Sequence, residues 1–142
     1  IKFNFMEKEK ILIIEDDKAI SKLYEKHLSS KDYAVFTAFN GKEGLEKVKT
    51  VKPDLILLDI VMPIMDGITV LKNLKKNPEA KNIPVIMLTV LEKSESISQA
   101  LEAGITHYLV KSNYSVDELG RKVDEILKQE NANDSFEGTE DN

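Results

Sequence analysis

Two hydrophobic periodicities alternate along the chain. Short runs rich in leucine and β-branched residues occur at 11–14, 33–38, 55–58, 84–88 and 107–110. Several are apolar at consecutive positions, which predicts strands covered on both faces. Between them, apolar residues recur at helical spacing. The stripes are Ile20, Leu23, Tyr24 and Leu28; Leu45, Val48 and Val51; Ile68, Leu71 and Leu74; Ile97, Ala100 and Leu101; and Leu119, Val123, Ile126 and Leu127. Five β-then-α units predict an α/β three-layer sandwich, with a parallel five-stranded sheet, right-handed crossovers and helices on both faces.

The punctuation between the runs agrees. Asn40 with Glu43, and Ser115 with Glu118, have the spacing of capping boxes, in which each side chain satisfies an orphan amide at a helix start. Gly104 stands where a helix must end in the left-handed conformation. Pro53, Pro78 and Pro84 fall between elements or at their edges. The expected organisation is an N-terminal extension or cloning scar over 1–8, one folded domain over 9–130, and a disordered acidic tail over 131–142. Met6 is the candidate natural start.

Composition narrows the function classes. The absence of cysteine excludes disulfides, thiolate metal sites and a cysteine nucleophile, and suits a reducing, cytoplasmic setting. No apolar run approaches the roughly 18 residues of a membrane span. Four of the 25 acidic residues lie beyond residue 130 and no lysine or arginine does, so the body carries 20 basic against 21 acidic residues. No basic stripe stands out, and neither direct nucleic-acid binding nor membrane binding is expected.

In such a sheet, ligands bind beyond the carboxyl ends of the strands, where the strand order reverses. Glu15, Asp16 and Asp17 follow the first run, Asp59 the third, Thr89 the fourth and Lys111 the fifth. Each alone has an ordinary reading. An acidic run is usually a solvated loop or a helix cap, a lone threonine a turn residue, and a lone lysine surface. Their convergence on one edge is the signal. Crowded carboxylates repel unless a cation intervenes, and Mg2+ suits a site of few carboxylates with water and a phosphate oxygen. Lys111 would face phosphoryl oxygens as a point charge and Thr89 would donate a hydroxyl, an assembly suited to phosphoryl transfer onto a carboxylate.

These segments resemble the receiver domain of bacterial response regulators over about 10–129. LLDIVMPIMDG, Leu57 to Gly67, resembles the phosphoacceptor loop, KILIIEDD the first strand and acidic pocket, VIMLT the switch strand, and YLVK the strand that ends in the family's lysine. The resemblance implies a flavodoxin-like (βα)5 fold with strand order 2-1-3-4-5 and a module of two-component signalling. It implies Asp59 as phosphoacceptor, with Mg2+ held by Asp16, Asp59 and the Val61 backbone carbonyl, and with Glu15 acting through water. Thr89 and Tyr108 would be the switch pair and Lys111 the phosphoryl-stabilising cation. The implied donor is a histidine kinase or phosphotransfer protein, and the implied output is a change in the surface around the fourth helix, fifth strand and fifth helix. Self-association on phosphorylation and the downstream protein target stay open.

Three departures from the pattern stand out. Ser112 replaces the usual proline after the lysine, which predicts a different path for that loop. Val90 replaces a small residue and should narrow access to Asp59. Val61 and Leu91 are apolar where the family can hold the hydrolytic water, which predicts slow dephosphorylation. A haloacid-dehalogenase-type phosphatase would carry a second acid at Val61, so no enzyme activity is expected beyond the domain's own phosphorylation and dephosphorylation. The chain could also be a degenerate receiver serving as a non-phosphorylated scaffold, or the excised receiver of a DNA-binding regulator. His27 is a poor candidate for a phosphotransfer histidine, since nothing else resembles a four-helix phosphotransfer bundle; His107 reads as structural, and Met62 and Met65 as packing.

Overall fold

The computed structural model describes residues 7–90, 95–105 and 107–140, with the side chains among them except those of Ser96 and 133–140. In chain order the elements are β1 (Lys10–Ile14), α1 (Lys18–Ser30), β2 (Ala34–Ala38), α2 (Gly41–Val51), β3 (Leu55–Asp59), α3 (Gly67–Lys76), β4 (Val85–Thr89), α4 (Glu95–Glu102), β5 (His107–Val110), a short 3-10 turn (Lys111–Asn113) and α5 (Val116–Glu140). All strand pairs are parallel, in the order β2-β1-β3-β4-β5. The predicted fold is therefore observed.

The sheet separates two apolar clusters. One joins Leu12, Ile14, Ile56, Leu58 and Met87 to Val48, Ile68, Leu71 and Leu74 of α2 and α3. The other joins Ile11, Ile13, Leu57, Ile86 and Leu109 to Leu28 of α1 and to Leu119, Val123, Ile126 and Leu127 of α5. Alternate residues of one strand thus serve opposite layers, which is why the central runs are apolar at every position. β2 lies at an edge and is only partly covered, and its burial is correspondingly broken.

The caps hold as read. The Asn40 side chain accepts from the Glu43 amide at 2.8 Å, while Glu43 reaches back to the Phe39 amide at 3.3 Å. Ser115 and Glu118 form the full reciprocal box. Gly104 has φ +93° at the end of α4. His27 lies 3.6 Å from Asp117 and links α1 to α5.

The tail is a correction. α5 continues to Glu140, so residues 131–140, expected to be disordered, prolong the helix. Low hydrophobicity predicts a segment that buries nothing, and the helix indeed contributes no buried residue between Leu127 and Ala132. It does not forbid a helix already nucleated upstream, since extending one costs far less than starting one and no proline interrupts it. Among the described residues, no helix is long and apolar enough to cross a membrane.

Candidate functional site

The strand order reverses between β1 and β3, and their carboxyl ends carry Glu15 and Asp59. β4 ends at Thr89, in register with Val110, so Lys111 is the next residue off β5. The six residues singled out from sequence therefore leave three neighbouring strands and the adjoining β1 loop on one edge. Carboxylate oxygens of Glu15, Asp16 and Asp59 lie within 4.8 Å of one another, with Glu15 and Asp59 buried and Asp16 exposed. The third acid of the run has a different task. Asp17 caps α1, accepting from the Ala19 and Ile20 amides at 3.0 and 3.1 Å.

Lys111 crosses to this group. Its ammonium lies 2.6 Å from Glu15 and 3.3 Å from Asp59. No cis peptide bond occurs among the described residues. The 3-10 turn that begins at Lys111 carries Ser112, and the lysine reaches the acids without the proline of the family pattern. Glu15 is 1% exposed, and its second oxygen accepts from the Asp17 amide at 3.3 Å.

The acids differ in proton affinity. Burial, the hydrogen bond with Glu15 and the Glu15 charge together push the Asp59 carboxyl up to about 7, against the opposing pull of Lys111. For Glu15, burial pushes upward, but hydrogen bonds with Asp59 and Lys111 and the lysine charge outweigh it and hold the group low. Lys111 stays protonated: its acidic partners raise its affinity above what burial removes. The pocket in this form is a carboxylate, a carboxyl poised near neutrality, and an ammonium bridging them. Tyr24 of α1 feels the same charges, and burial raises its phenol. Sequence reading counted it only as core, because nothing local marks a helix residue as facing strand ends.

Thr89 is buried at the end of β4. Val61, Val90 and Tyr108 are exposed, at 70%, 60% and 41%. Leu91 lies outside the described residues. Met62 is buried, as read.

Two features of the loop after Asp59 were not visible in the pattern. A Cβ at Gly67 would stand 2.2 Å from the Asp59 carbonyl oxygen, and the Gly67 amide donates to the Ile60 carbonyl at 2.7 Å. Only glycine lets α3 start so close to the acceptor. The Met65 amide donates to the Pro63 carbonyl at 2.8 Å, closing a three-residue turn around Ile64 with φ +72°. This hand of γ-turn is rare and strained, and a β-branched residue is the least suited to it.

A comparison with family models decides the identity: residues 11–124 match the response regulator receiver domain. The chain belongs to that family. Receiver domains act in phosphorylation-based two-component signalling, meet histidine kinases and downstream effectors, and typically bind Mg2+. The acidic cluster of this receiver is of a kind that could hold such an ion.

Among curated proteins, the chain is 36% identical over 138 residues to the alkaline phosphatase synthesis transcriptional regulatory protein PhoP of Bacillus subtilis, covering 92% of this chain and 56% of PhoP. It is 39% identical over 102 residues to the response regulator PleD of Caulobacter vibrioides, covering 72% of this chain and 22% of PleD. The receiver thus spans about half or less of the length of these relatives. Among solved structures, the receiver domain of a Francisella response regulator superposes with a TM-score of 0.76 at 36% identity, over 85% of this chain and 98% of that one. A CheY-like receiver protein of Methanospirillum hungatei gives 0.82 at 29%, over 89% and 99%.

Proposed function

We propose that this receiver accepts a phosphoryl group on Asp59 from a phosphorylated histidine of a kinase or phosphotransfer protein. The observation that carries the reading is the buried Asp59 carboxyl, held within one acidic cluster and faced by the Lys111 ammonium at 3.3 Å. An Asp59 oxygen forms a bond to phosphorus as the bond from phosphorus to the imidazole nitrogen breaks, and the imidazole keeps the electron pair. Lys111 then exchanges carboxylate partners for phosphoryl oxygens, and the Thr89 hydroxyl donates to another of them.

The donor set suits Mg2+: all the groups are hard oxygens, and the raised affinity of Asp59 for a proton marks negative charge in want of a cation. Asp16, Asp59 and the Val61 backbone carbonyl would hold the ion, with Glu15 acting through water. When bound, it supplies positive charge to the crowded carboxylates and the phosphoryl oxygens. Drawing Thr89 toward phosphorylated Asp59 frees room for Tyr108, which stands outward here, to turn in. That movement rebiases the face made by α4, β5 and α5 toward a downstream protein in the cytoplasm.

The presence of the acids, Thr89 and Lys111 together argues against a scaffold that never carries phosphate. Incubation with acetyl phosphate tests the metal requirement: a phosphoryl adduct should form with Mg2+ and fail with chelator or in Asp16→Asn. An equal adduct in chelator would refute the metal role.

A further inference from the structure

We propose that a cleft at the amino ends of β3 and β4 binds a small anion with an apolar body, of the alkyl or aryl carboxylate class. The cleft has a volume of about 330 Å³ and lies at the edge of the sheet opposite Asp59. Val48, Pro53, Ala80 and Ile83 supply its apolar surface. The first three are buried and Ile83 is half-buried. Lys49, Lys52, Asn77 and Glu79 complete the lining. A recess of this size, apolar within and met by a few polar groups, is the usual form of a small-ligand site. It shares no residue with the phosphoacceptor pocket.

The walls are fixed before any ligand arrives. The Lys52 amide donates to the Val48 carbonyl at 3.0 Å and closes α2, with Lys52 in the left-handed region at φ 53°. Beyond α3, the Ala80 and Lys81 amides donate to the Asn77 carbonyl at 2.9 and 2.8 Å, and the Ile83 amide donates to the Ala80 carbonyl at 3.0 Å. The Asn77 side-chain oxygen accepts from the Glu79 amide at 3.0 Å. Its NH2 group has no acceptor among the described residues and is left to donate. A recess with hydrogen-bonded walls needs little ordering when it fills.

The rim selects the charge. Lys49 and Lys52 form no ion pair and no side-chain hydrogen bond among the described residues. A lysine late in a helix suits the carbonyl end, and on an open surface that would account for Lys49. Here two free ammonium groups and an amide NH2 border an apolar recess against one acid, Glu79. An anion satisfies these donors while its carbon skeleton enters the recess. The occupant is a small molecule and not a protein face. None of the large apolar residues exposed among the described residues lines the cleft, so no apolar patch surrounds it for a protein to cover.

NMR titration of the whole chain with octanoate and with naphthoate tests the site. The expected result is saturable shifts centred on the amides of Val48, Lys52, Ala80 and Ile83, with a Kd of about 1 mM or below for at least one carboxylate. Acetate, which carries the charge alone, and octanol, which carries the chain alone, should each bind about tenfold or more weakly. Lys49→Gln combined with Lys52→Gln should weaken carboxylate binding by about tenfold. Glu79→Gln should tighten it by about twofold, a gain that misfolding cannot produce. All three side chains are exposed, so the spectrum away from the cleft should stay as in the wild type. No binding by either carboxylate, or shifts spread over the surface without saturation, overturns the proposal. Octanol binding as tightly as octanoate, or unchanged affinity in the double lysine variant, overturns it as well.

Discussion

The Lys111 ammonium lies closer to Glu15, at 2.6 Å, than to Asp59, at 3.3 Å. The lysine is thus anchored by the acid that is not the proposed acceptor, and Asp59 is left to share a proton. Replacing Glu15 by glutamine removes both the hydrogen-bonded anion and its charge. The Asp59 carboxyl should then titrate at least about one unit lower in metal-free protein, by carboxyl NMR. A titration still near 7 would show that burial alone sets its affinity.

The same pair makes metal-free stability depend on pH in an unusual direction. Asp59 binds its proton more tightly folded than unfolded, so its contribution is fully present below the unfolded value near 4 and is lost as pH rises through about 7. Stability should fall over that window in denaturant titrations without metal. Asp59→Asn should abolish most of this slope and gain on the order of 1–3 kcal/mol at pH 8. Added Mg2+ should restore stability to the wild type at that pH and not to the variant.

Val61 stands 70% exposed two residues past Asp59, and its side chain offers no hydrogen bond to a hydrolytic water. Phosphorylated Asp59 should therefore decay slowly in the purified protein. Val61→Asn should speed the decay on the order of tenfold, measured by loss of the phosphoryl adduct with time. Rapid decay of the wild type would contradict this account.

Ile64 offers a stability test independent of any partner. Its positive φ should cost about 1–2 kcal/mol relative to glycine, partly offset by the greater chain entropy glycine loses. Ile64→Gly should accordingly raise stability by about 0.5–1 kcal/mol, read as a rise in the denaturation midpoint. A fall would mean that the exposed side chain packs more than its 80% exposure allows.

Much of the molecule is legible from residue order because its signals are local. Consecutive apolar residues at Ile11–Ile14 and Leu55–Leu58 announce strands buried on both faces. Asn40 with Glu43, and Ser115 with Glu118, announce helix starts. The site follows because strand ends converge by topology, which places Glu15, Asp59, Thr89 and Lys111 together before any distance is known. What stays hidden depends on three-dimensional neighbours. Nothing adjacent in sequence tells that Glu15, 96 residues from Lys111, will be its nearer partner. Tyr33 reads as strand but precedes β2, and its hydroxyl donates to Asp124 of α5 at 2.5 Å. The turn at Ile64 is opaque because isoleucine is the residue its backbone least predicts.

The central claim is that Asp59 is the phosphoacceptor. Intact mass after incubation with Mg2+ and acetyl phosphate tests it most directly, comparing wild type with Asp59→Ala. The account predicts one added phosphoryl group in the wild type and none in the variant. An adduct of equal yield in Asp59→Ala, or no adduct in the wild type, would contradict it.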